Sequence, residues 1–369
     1  MFEKHNMKDF LKQLLETHTP SGYERLGNIH ELTQNILSRT QYVDNIGNLY
    51  FEKGSDDKNA VKIFISAHYD ENALQVVKIT NEGFLHIINL GGLDRKTIEG
   101  SHVFVISDNC DTDNVTQKKL IPGIIGKKPI HKETNDEREK VDEYDKILVD
   151  IGASSQEEVA ELGIHIGSVI VFKKDINMAF GTKKDRIVAN ALDDKIGIFA
   201  VTSAFNELDE SVLSAKKIKV ILGWLSQEEV GLRGAMIASN RIQPDISIDV
   251  DVTFDTSKCT AISKEKHGDM ELGKGVVIEY GPHTNYTLIG DLKDVANKFA
   301  LPYQESVAKA GGNNCSAIQL NSKDCATAHL GIPLRNMHTQ VEMVHKDDVN
   351  ACADLIKLYI YEYTLSYSY

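Results

Sequence analysis

The 369-residue chain lacks the features that mark a membrane or secreted protein. No window approaches the ~18 consecutive apolar residues that a membrane-spanning helix requires. The opening residues, MFEKHNMKDF, place acids where a secretory signal has a short apolar core. These two absences predict a cytoplasmic protein without a membrane partner.

Cysteine is scarce, and its pattern is uninformative for cross-linking. The five cysteines are odd in number, widely spaced and form no C-x-x-C pair: Cys110, Cys259, Cys315, Cys325 and Cys352. We therefore expect reduced thiols that pack in the interior, and neither a disulfide framework nor a zinc knuckle.

Basic residues are fewer than acidic ones. The sequence has 41 Lys and Arg and 54 Asp and Glu, which gives a net charge of −13. The resulting field repels polyanions, so nucleic acid and anionic membrane surfaces are excluded as main partners. With 41% hydrophobic and 26% charged residues and no visible internal repeat, the composition is that of an ordinary globular protein. The length predicts about two domains, or one large α/β domain with an insertion.

The order of helical and strand patterns favours the second arrangement. Apolar spacing predicts two helices within 8–38, then strands in VDNIGNLYFE and VKIFISAH. Short strand patterns fill 72–177, together with a charged stretch, KETNDEREKVDEYDK, that we expect to be a solvated loop. Afterwards the sequence predicts helices over DDKIGIFAVTSAFNEL and EVGLRGAMIASN, buried strands over IKVILGWL and ISIDVDVTF, and a last helix from about 347 to 364. We expect one domain made of 1–71 and 178–369, interrupted by a β-rich domain at 72–177.

Polar clusters stand where the predicted strands end or helices begin. They are His68, Asp70 and Glu71; Asp193 and Asp194; Glu228 and Glu229; Asp249, Asp251 and Asp255; and His338. In open α/β sheets, ligands bind outside the carboxyl ends of the strands. Imidazoles and carboxylates suit first-row divalent ions, and one bridging carboxylate can hold two ions ~3.5 to 4 Å apart. The pattern predicts a divalent-metal site, with two ions favoured over one.

Each cluster also has a simpler structural interpretation. A single histidine at a strand end is more often structural than a ligand. An Asp-Asp pair before a helix can be an N-cap, and a Glu-Glu pair can complement a helix dipole. Asp251, inside an apolar strand, is harder to explain because an unpaired buried carboxylate is costly. The shared position at strand ends is what favours a metal site.

Taken in order, these motifs resemble metallopeptidase family 42, the tetrahedral, deblocking and glutamyl aminopeptidases with paired metal ions. The resemblance runs from THTPSGYE through AHYDEN, NALDDKIG, SQEEVGLRGA and IDVDVTFD to IPLRNMHTQVEMVHKDDV. It implies a mixed-sheet α/β/α catalytic domain of the phosphorylase/hydrolase type with an inserted PDZ-like β-barrel for dimerisation. It also implies removal of N-terminal residues from short peptides by dimers that assemble into dodecamers.

The resemblance implies a role for each matched residue. The metal ligands would be Asp193 as the bridge, His68 and Asp251 on one ion, and Glu229 and His338 on the other. Asp70 would hold the His68 imidazole in one orientation, and Glu228 would be the general base. The peptide bond that corresponds to Asp193–Asp194 is often cis in the family, and the resemblance implies the same here. Asp249 and Asp255 are the alternatives to Asp251, because a slip of two residues would keep the same strand face. Two divalent ions per subunit are implied, with zinc the first choice and cobalt or manganese also suited.

The chain departs from the family pattern at positions that are not implied ligands. Asn72 and Ala73 stand where the family has Ile-Gly, and Asn336 follows Arg335 where it has Tyr. Its Gly-Gly-Thr-Asp-Ala is replaced by Gly311, Gly312, Asn313, Asn314 and Cys315, which removes a negative charge near the expected substrate cleft. Three other functions remain open: a related dinuclear carboxypeptidase or deacylase, an endoglucanase-type glycosidase that uses paired carboxylates, and an inactive scaffold.

Overall fold

The computed structural model describes residues 2, 5–27, 29–37, 41–108, 119–310 and 312–363. Cys110 and Gly311, both discussed above, lie outside the described residues. The chain forms a large mixed sheet flanked by helices and a separate closed antiparallel barrel. The expected α/β/α architecture with an inserted β-barrel is thereby confirmed.

The sheet places four parallel strands at its centre. Its path is β1 (Gln41–Val43), β2 (Leu49–Gly54), β12 (Ile218–Leu225), β3 (Val61–His68), β13 (Ile246–Phe254), β16 (Ala326–Arg335), β17 (Glu342–His345), β11 (Arg186–Ala189) and β10 (Asn177–Phe180). Beside β16 lie β14 (Val276–Tyr280) and β15 (Tyr303–Val307). Strands β12, β3, β13 and β16 run parallel, so their carboxyl ends meet at one edge. Their almost continuous apolar sequences suit strands that are covered on both faces.

Helices cover both faces of the sheet. One face packs in a single hydrophobic core against α1 (His5–Glu16), α6 (Leu192–Glu207), α10 (Tyr286–Lys298) and α12 (Lys346–Glu362). The other face packs against α8 (Arg233–Ile242) and α11 (Asn314–Asn321). Shorter helices are α2 (Ile29–Ile36), α7 (Glu210–Ala215) and α9 (Lys264–His267). Among the described helices, none combines the length and apolar character that a membrane crossing demands.

The barrel closes on itself and has its own core. Its strands follow the order β4 (Ala73–Ile79), β5 (Leu85–Leu90), β8 (Leu148–Asp150), β7 (Lys119–Ile125), β6 (His102–Ser107) and β9 (Val169–Phe172). The helices α3 (Arg95–Ile98), α4 (Asn135–Glu139) and α5 (Gln156–Glu161) join them. Helix α4 lies inside the charged stretch expected to be a loop, because Thr134 and Glu137 form a capping box there. Closure gives each described strand of the barrel a paired neighbour on both sides.

Two further local expectations are correct only in part. The run VDNIGNLYFE is a hairpin, since Asp44 Oδ1 accepts hydrogen bonds from the backbones of Gly47 and Asn48 at 3.0 and 2.9 Å and closes a turn. The helix expected over EVGLRGAMIASN begins only at Arg233. Gly231 and Leu232 before it have φ of 114° and 58°, which a right-handed helix does not accommodate. The glutamate pair therefore lies in a turn between β12 and α8.

Candidate metal centre

The parallel strands bring several of the expected site residues to one edge of the sheet. His68 is the last residue of β3, and Asp251 lies near the end of β13, the strand beside it. Glu228 and Glu229 follow β12, the neighbour of β3 on its other side. Neighbouring parallel strands end together, so residues far apart in sequence converge without long connecting loops.

Asp193 enters the site from the start of α6. Asp193 and Asp194 have non-helical backbone angles, and the peptide bond between them is cis, as the family resemblance implies. The regular helix is capped by Asp194, whose Oδ1 accepts a hydrogen bond from the Gly197 backbone at 3.1 Å. The N-cap interpretation therefore applies to Asp194 alone, and the Asp193 carboxylate faces the other site residues. Gly197 is required here, because a Cβ would lie 2.3 Å from Asp194 Oδ1.

The two carboxylate oxygens of Asp193 face different imidazoles. Asp193 Oδ1 lies 3.2 Å from His68 Nε2, and Asp193 Oδ2 lies 3.2 Å from His338 Nε2. Asp251 Oδ1 is 3.7 Å from the same His68 nitrogen, and Glu229 Oε2 is 3.7 Å from the same His338 nitrogen. The five side chains thus form two groups of donor atoms that share Asp193.

Among the three aspartates of β13 and its end, Asp251 is the one beside His68. Asp249 is held by the Ser66 hydroxyl at 2.7 Å, and Asp255 is paired with Arg335. One cluster of donor atoms, all within 4.8 Å of one another, also contains Asp194 together with His68 and Asp251. Asp194 is therefore close to the centre, although its Oδ1 caps α6.

Burial and the repulsion of neighbouring carboxylates raise the pKa of both glutamates of the site. Burial, with Asp251 and Asp70 nearby, raises the pKa of Glu228 to about 9, although His68 opposes the shift. Burial and the Asp193 charge raise the pKa of Glu229 well above its usual range. Burial alone would lower the pKa of His68, but hydrogen bonds to Asp193 and neighbouring carboxylates raise it well above 6.5. Several buried carboxylates close together are stable in their charged form only if cations neutralise them. A bound divalent ion would lower the pKa of both glutamates and return them to that form.

Asp70 connects the histidine and the glutamate pair. Its Oδ1 accepts a hydrogen bond from the Glu228 backbone at 2.9 Å and lies 3.5 Å from His68 Nδ1. Its Oδ2 accepts from the Glu229 backbone at 3.3 Å and from the Ser21 hydroxyl at 2.7 Å. The segment THTPSGYE therefore folds against the site to hold Asp70, and Asp70 fixes the turn that carries both glutamates.

Two further residues at the centre were not expected from the sequence. Glu342 is buried; its Oε2 accepts from the Asp193 backbone at 3.1 Å and its Oε1 from the His338 backbone at 2.8 Å. His338 has a left-handed φ of 60°, so the second bond holds a backbone conformation that non-glycine residues rarely adopt. The position of Glu342 four residues after His338 is a signal that the sequence offered.

Asn72 is the second unexpected residue. Its Nδ2 donates a hydrogen bond to Glu229 Oε1 at 2.6 Å. A Cβ on Gly91, the residue after β5, would lie 1.9 Å from Asn72 Oδ1, so glycine is needed there to leave room for the Asn72 side chain. Asn72 is one of the positions at which the chain differs from the family pattern, and its side chain directly contacts Glu229, an expected metal ligand.

A cavity of about 720 Å³ opens over the centre. The expected ligands and Glu228 line one part, and Phe254, Glu279, Asn313 and His329 line another. Asn314, which begins α11, is buried behind it, and its amide has no hydrogen-bond partner among the described residues. Position 314, where the family has an aspartate, therefore lies behind the cavity wall and does not line the cavity.

The chain is similar to known proteins in both sequence and structure. The model of the family described as M42 glutamyl aminopeptidase matches residues 47–355. The chain is 33% identical to a lysyl aminopeptidase of Pyrococcus furiosus over 363 residues, which cover 96% of each protein. A TET aminopeptidase structure from Thaumarchaeota archaeon SCGC AB-539-E09 superposes with a TM-score of 0.87 at 27% identity and covers 98% of both chains.

A structure of Pyrococcus horikoshii TET1 peptidase, reported to assemble into a tetrahedron or a large octahedral shell, is also similar. Its TM-score is 0.81 at 29% identity, with 97% of this chain and 100% of that chain covered. The likeness to these proteins therefore extends over both the sheet and the barrel.

Proposed function

The chain belongs to the M42 glutamyl aminopeptidase family, and we propose that it removes N-terminal residues from short peptides with two divalent metal ions. It is a hydrolase of the aminopeptidase class. The observation that carries the two-metal proposal is the position of Asp193 between His68 and His338, 3.2 Å from each. A bidentate carboxylate between two imidazoles can bridge two ions.

The residues present fit such a pair of ions. His68 and Asp251 would complete one set of ligands, and Glu229 and His338 would complete the other. Imidazole nitrogen and carboxylate oxygen suit zinc, which we propose as the native metal, with cobalt and manganese also compatible. When bound, the ions would acidify a water molecule and polarise the scissile carbonyl.

The protein's own residues then move the proton and hold the geometry. Glu228, whose Oε2 lies 4.0 Å from His68 Nε2, stands beside the ligands and acts as the general base. It accepts a proton from the attacking water and returns it to the leaving amine. Asp70 keeps the carboxylate of Glu228 in place through the backbone and fixes the His68 ring.

We propose that 1–71 and 178–369 form the catalytic domain and that 72–177 form a dimerisation domain. The closed barrel of β4–β9 has a core of its own, which supports an independent unit. Dimers would assemble into a dodecamer that admits only short peptides, as the tetrahedral assembly of the P. horikoshii relative suggests. The thiols of Cys259, Cys315, Cys325 and Cys352 are free, which suits the reducing cytoplasm where we place the enzyme.

The decisive test is Glu228→Gln, assayed on aminoacyl-anilides and on the same anilides with a blocked amine. We expect the variant to retain its metal by elemental analysis and to lose turnover by at least about a hundredfold, as removal of a general base does. The surface variant Glu271→Gln is the matched control. Near-normal turnover in Glu228→Gln would refute its role, and cleavage of the blocked anilides would favour the deacylase alternative.

The remaining alternatives are separated by simple measurements. A glycosidase that uses paired carboxylates does not need two imidazoles, so its activity would survive a chelator. A scaffold would show no turnover with any metal. Light scattering tests the assembly separately, because a monomer would refute the proposed dodecamer without affecting the catalytic proposal.

A further inference from the structure

The cavity over the metal centre contains one carboxylate that the proposed reaction does not use. Among the described residues, five acidic ones line it, namely Asp193, Glu228, Glu229, Asp251 and Glu279, and of these only Glu279 is neither a proposed ligand nor the proposed base. In the part of the chain that the structure describes, neither a lysine nor an arginine lines the cavity. Lys309 and Arg233 are sequence neighbours of lining residues but are exposed and do not line the cavity themselves.

Glu279 is held rigidly. It lies in β14, between β15 and β16, with Ser306 beside it on β15. Its Oε1 lies 2.9 Å from His283 Nε2, and the carboxylate is about 14% exposed. Burial alone would raise the pKa of Glu279, but the hydrogen bond with His283 and the charge of His329 lower it, so the group is ionised at neutral pH. A fixed, partly exposed carboxylate is a good acceptor for a cationic side chain.

The charges around Glu279 do not cancel it. Two divalent ions would balance the four other lining carboxylates. His329 in β16 pairs with Asp249, whose Oδ2 lies 3.7 Å from its Nδ1, on the buried side of the wall. One negative charge, that of Glu279, therefore remains on the wall of the cavity.

The size and walls of the cavity suit a long side chain. A volume of about 720 Å³ has room for a dipeptide that includes a lysine or arginine. Phe254 and Ala308 provide apolar surface for the methylene stem, while the charged end reaches Glu279.

We propose that Glu279 is a specificity-determining residue that favours peptides with an N-terminal lysine or arginine and disfavours N-terminal glutamate. This inference rests on the proposed aminopeptidase function. It differs from the glutamyl preference in the description of the family, because a second carboxylate would meet like charge.

The test compares kcat/KM for lysyl-, leucyl- and glutamyl-anilides in the wild type, Glu279→Gln and the control Glu305→Gln. Glu305 is a glutamate of the adjacent strand that pairs with Lys293 at the surface. We expect the wild type to prefer lysine to glutamate and Glu279→Gln to lower the lysine-to-leucine ratio about tenfold, or about 1.4 kcal/mol. Glu305→Gln should keep the wild-type ratio. Because both substrates meet the same protein, the ratio does not depend on the folded fraction.

An unchanged ratio in Glu279→Gln, or a wild-type preference for glutamate, would overturn the assignment. Failure of the proposed function would look different, since no anilide would then be cleaved. In that case the affinities of the metal-loaded protein for lysinamide and for leucinamide can still be compared by calorimetry. Tighter binding of lysinamide would support the assignment, and equal or tighter binding of leucinamide would overturn it.

Discussion

Asp70 accepts a hydrogen bond from the backbone of Glu228, with 2.9 Å between Asp70 Oδ1 and the Glu228 nitrogen. The same carboxylate also accepts from the Glu229 backbone and faces His68. One buried side chain therefore sets the positions of the proposed base, a proposed ligand from each metal site and the turn between β12 and α8.

Replacing Asp70 by Asn should reduce catalysis more than folding. The amide offers one acceptor oxygen in place of two, so one backbone N–H loses its partner and the glutamate turn loosens. We expect kcat to fall by about 10- to 100-fold, as for other residues that orient metal ligands. Anilide turnover together with circular dichroism checks this. Ser21→Ala, which leaves both acceptor oxygens in place, should cost much less, and an Asp70→Asn kcat within twofold of wild type would contradict the role.

Asn72 should tune metal affinity through Glu229. Asn72→Leu removes the 2.6 Å hydrogen bond at similar volume, and Asn72→Asp places a second negative charge beside the glutamate. We expect the weaker of the two metal-binding steps to lose about tenfold in affinity in the leucine variant. The aspartate variant serves as the contrast, and chelator competition gives both values. Equal affinity in all three proteins would show that the bond does not act on the metal site.

Lys195 should be a major contributor to stability. It is fully buried at the start of α6, and its Nζ lies 3.2 Å from Glu71 Oε2, which Lys174 also contacts. Lys195→Met removes one partner of a buried ion pair, and we expect the free energy of unfolding in urea to fall by about 3 kcal/mol. Lys298→Met, at an exposed pair with Glu362, should cost less than about 1 kcal/mol. Equal effects of the two substitutions would contradict the importance of burial.

Stability should fall in mildly alkaline solution because of His329. Burial opposes its charged form, but Asp249 and Glu279 raise the pKa of His329 to about 9 in the folded protein. A histidine with a raised folded pKa contributes fully below pH 6.5 and loses that contribution as the pH rises through 9. The loss should be on the order of 3 kcal/mol, measured by urea unfolding in excess chelator. His329→Gln should make the profile shallower without flattening it, because Glu228, with a pKa raised to about 9, titrates in the same range when metal is absent. The exposed His131→Gln should leave the slope unchanged, and an unchanged slope in His329→Gln would contradict the shift.

The parts of the fold set by local apolar patterning could be predicted from the sequence. The strands Ile218–Leu225 and Ile246–Phe254 match the predicted runs, since a central parallel strand is apolar on both faces. The central strand Ala326–Arg335 was not predicted, because Gly331 and Pro333 interrupt its pattern. The strand forms in spite of these two residues because it pairs with β13. The two strands are 80 residues apart in sequence, so their pairing cannot be recognised from the local pattern of either.

The candidate site, like the fold, could be predicted from the sequence only in part. The convergence of His68, Glu228 and Asp251 follows from parallel strands ending at one edge. The contacts of Glu342 with Asp193 and of Asn72 with Glu229 span 149 and 157 residues, and only the folded backbone brings them together. The position of the glutamate pair in a turn depends on the backbone angles of Gly231 and Leu232, which neither propensity nor charge pattern indicates.

The central claim is that Asp193 bridges two metal ions. Anomalous scattering from crystals of the protein grown with zinc tests it most directly. We predict two peaks ~3.5 to 4 Å apart, one beside His68 and Asp251 and the other beside His338 and Glu229, with a different Asp193 oxygen bound to each. A single peak, or two peaks that do not share Asp193, would contradict the account.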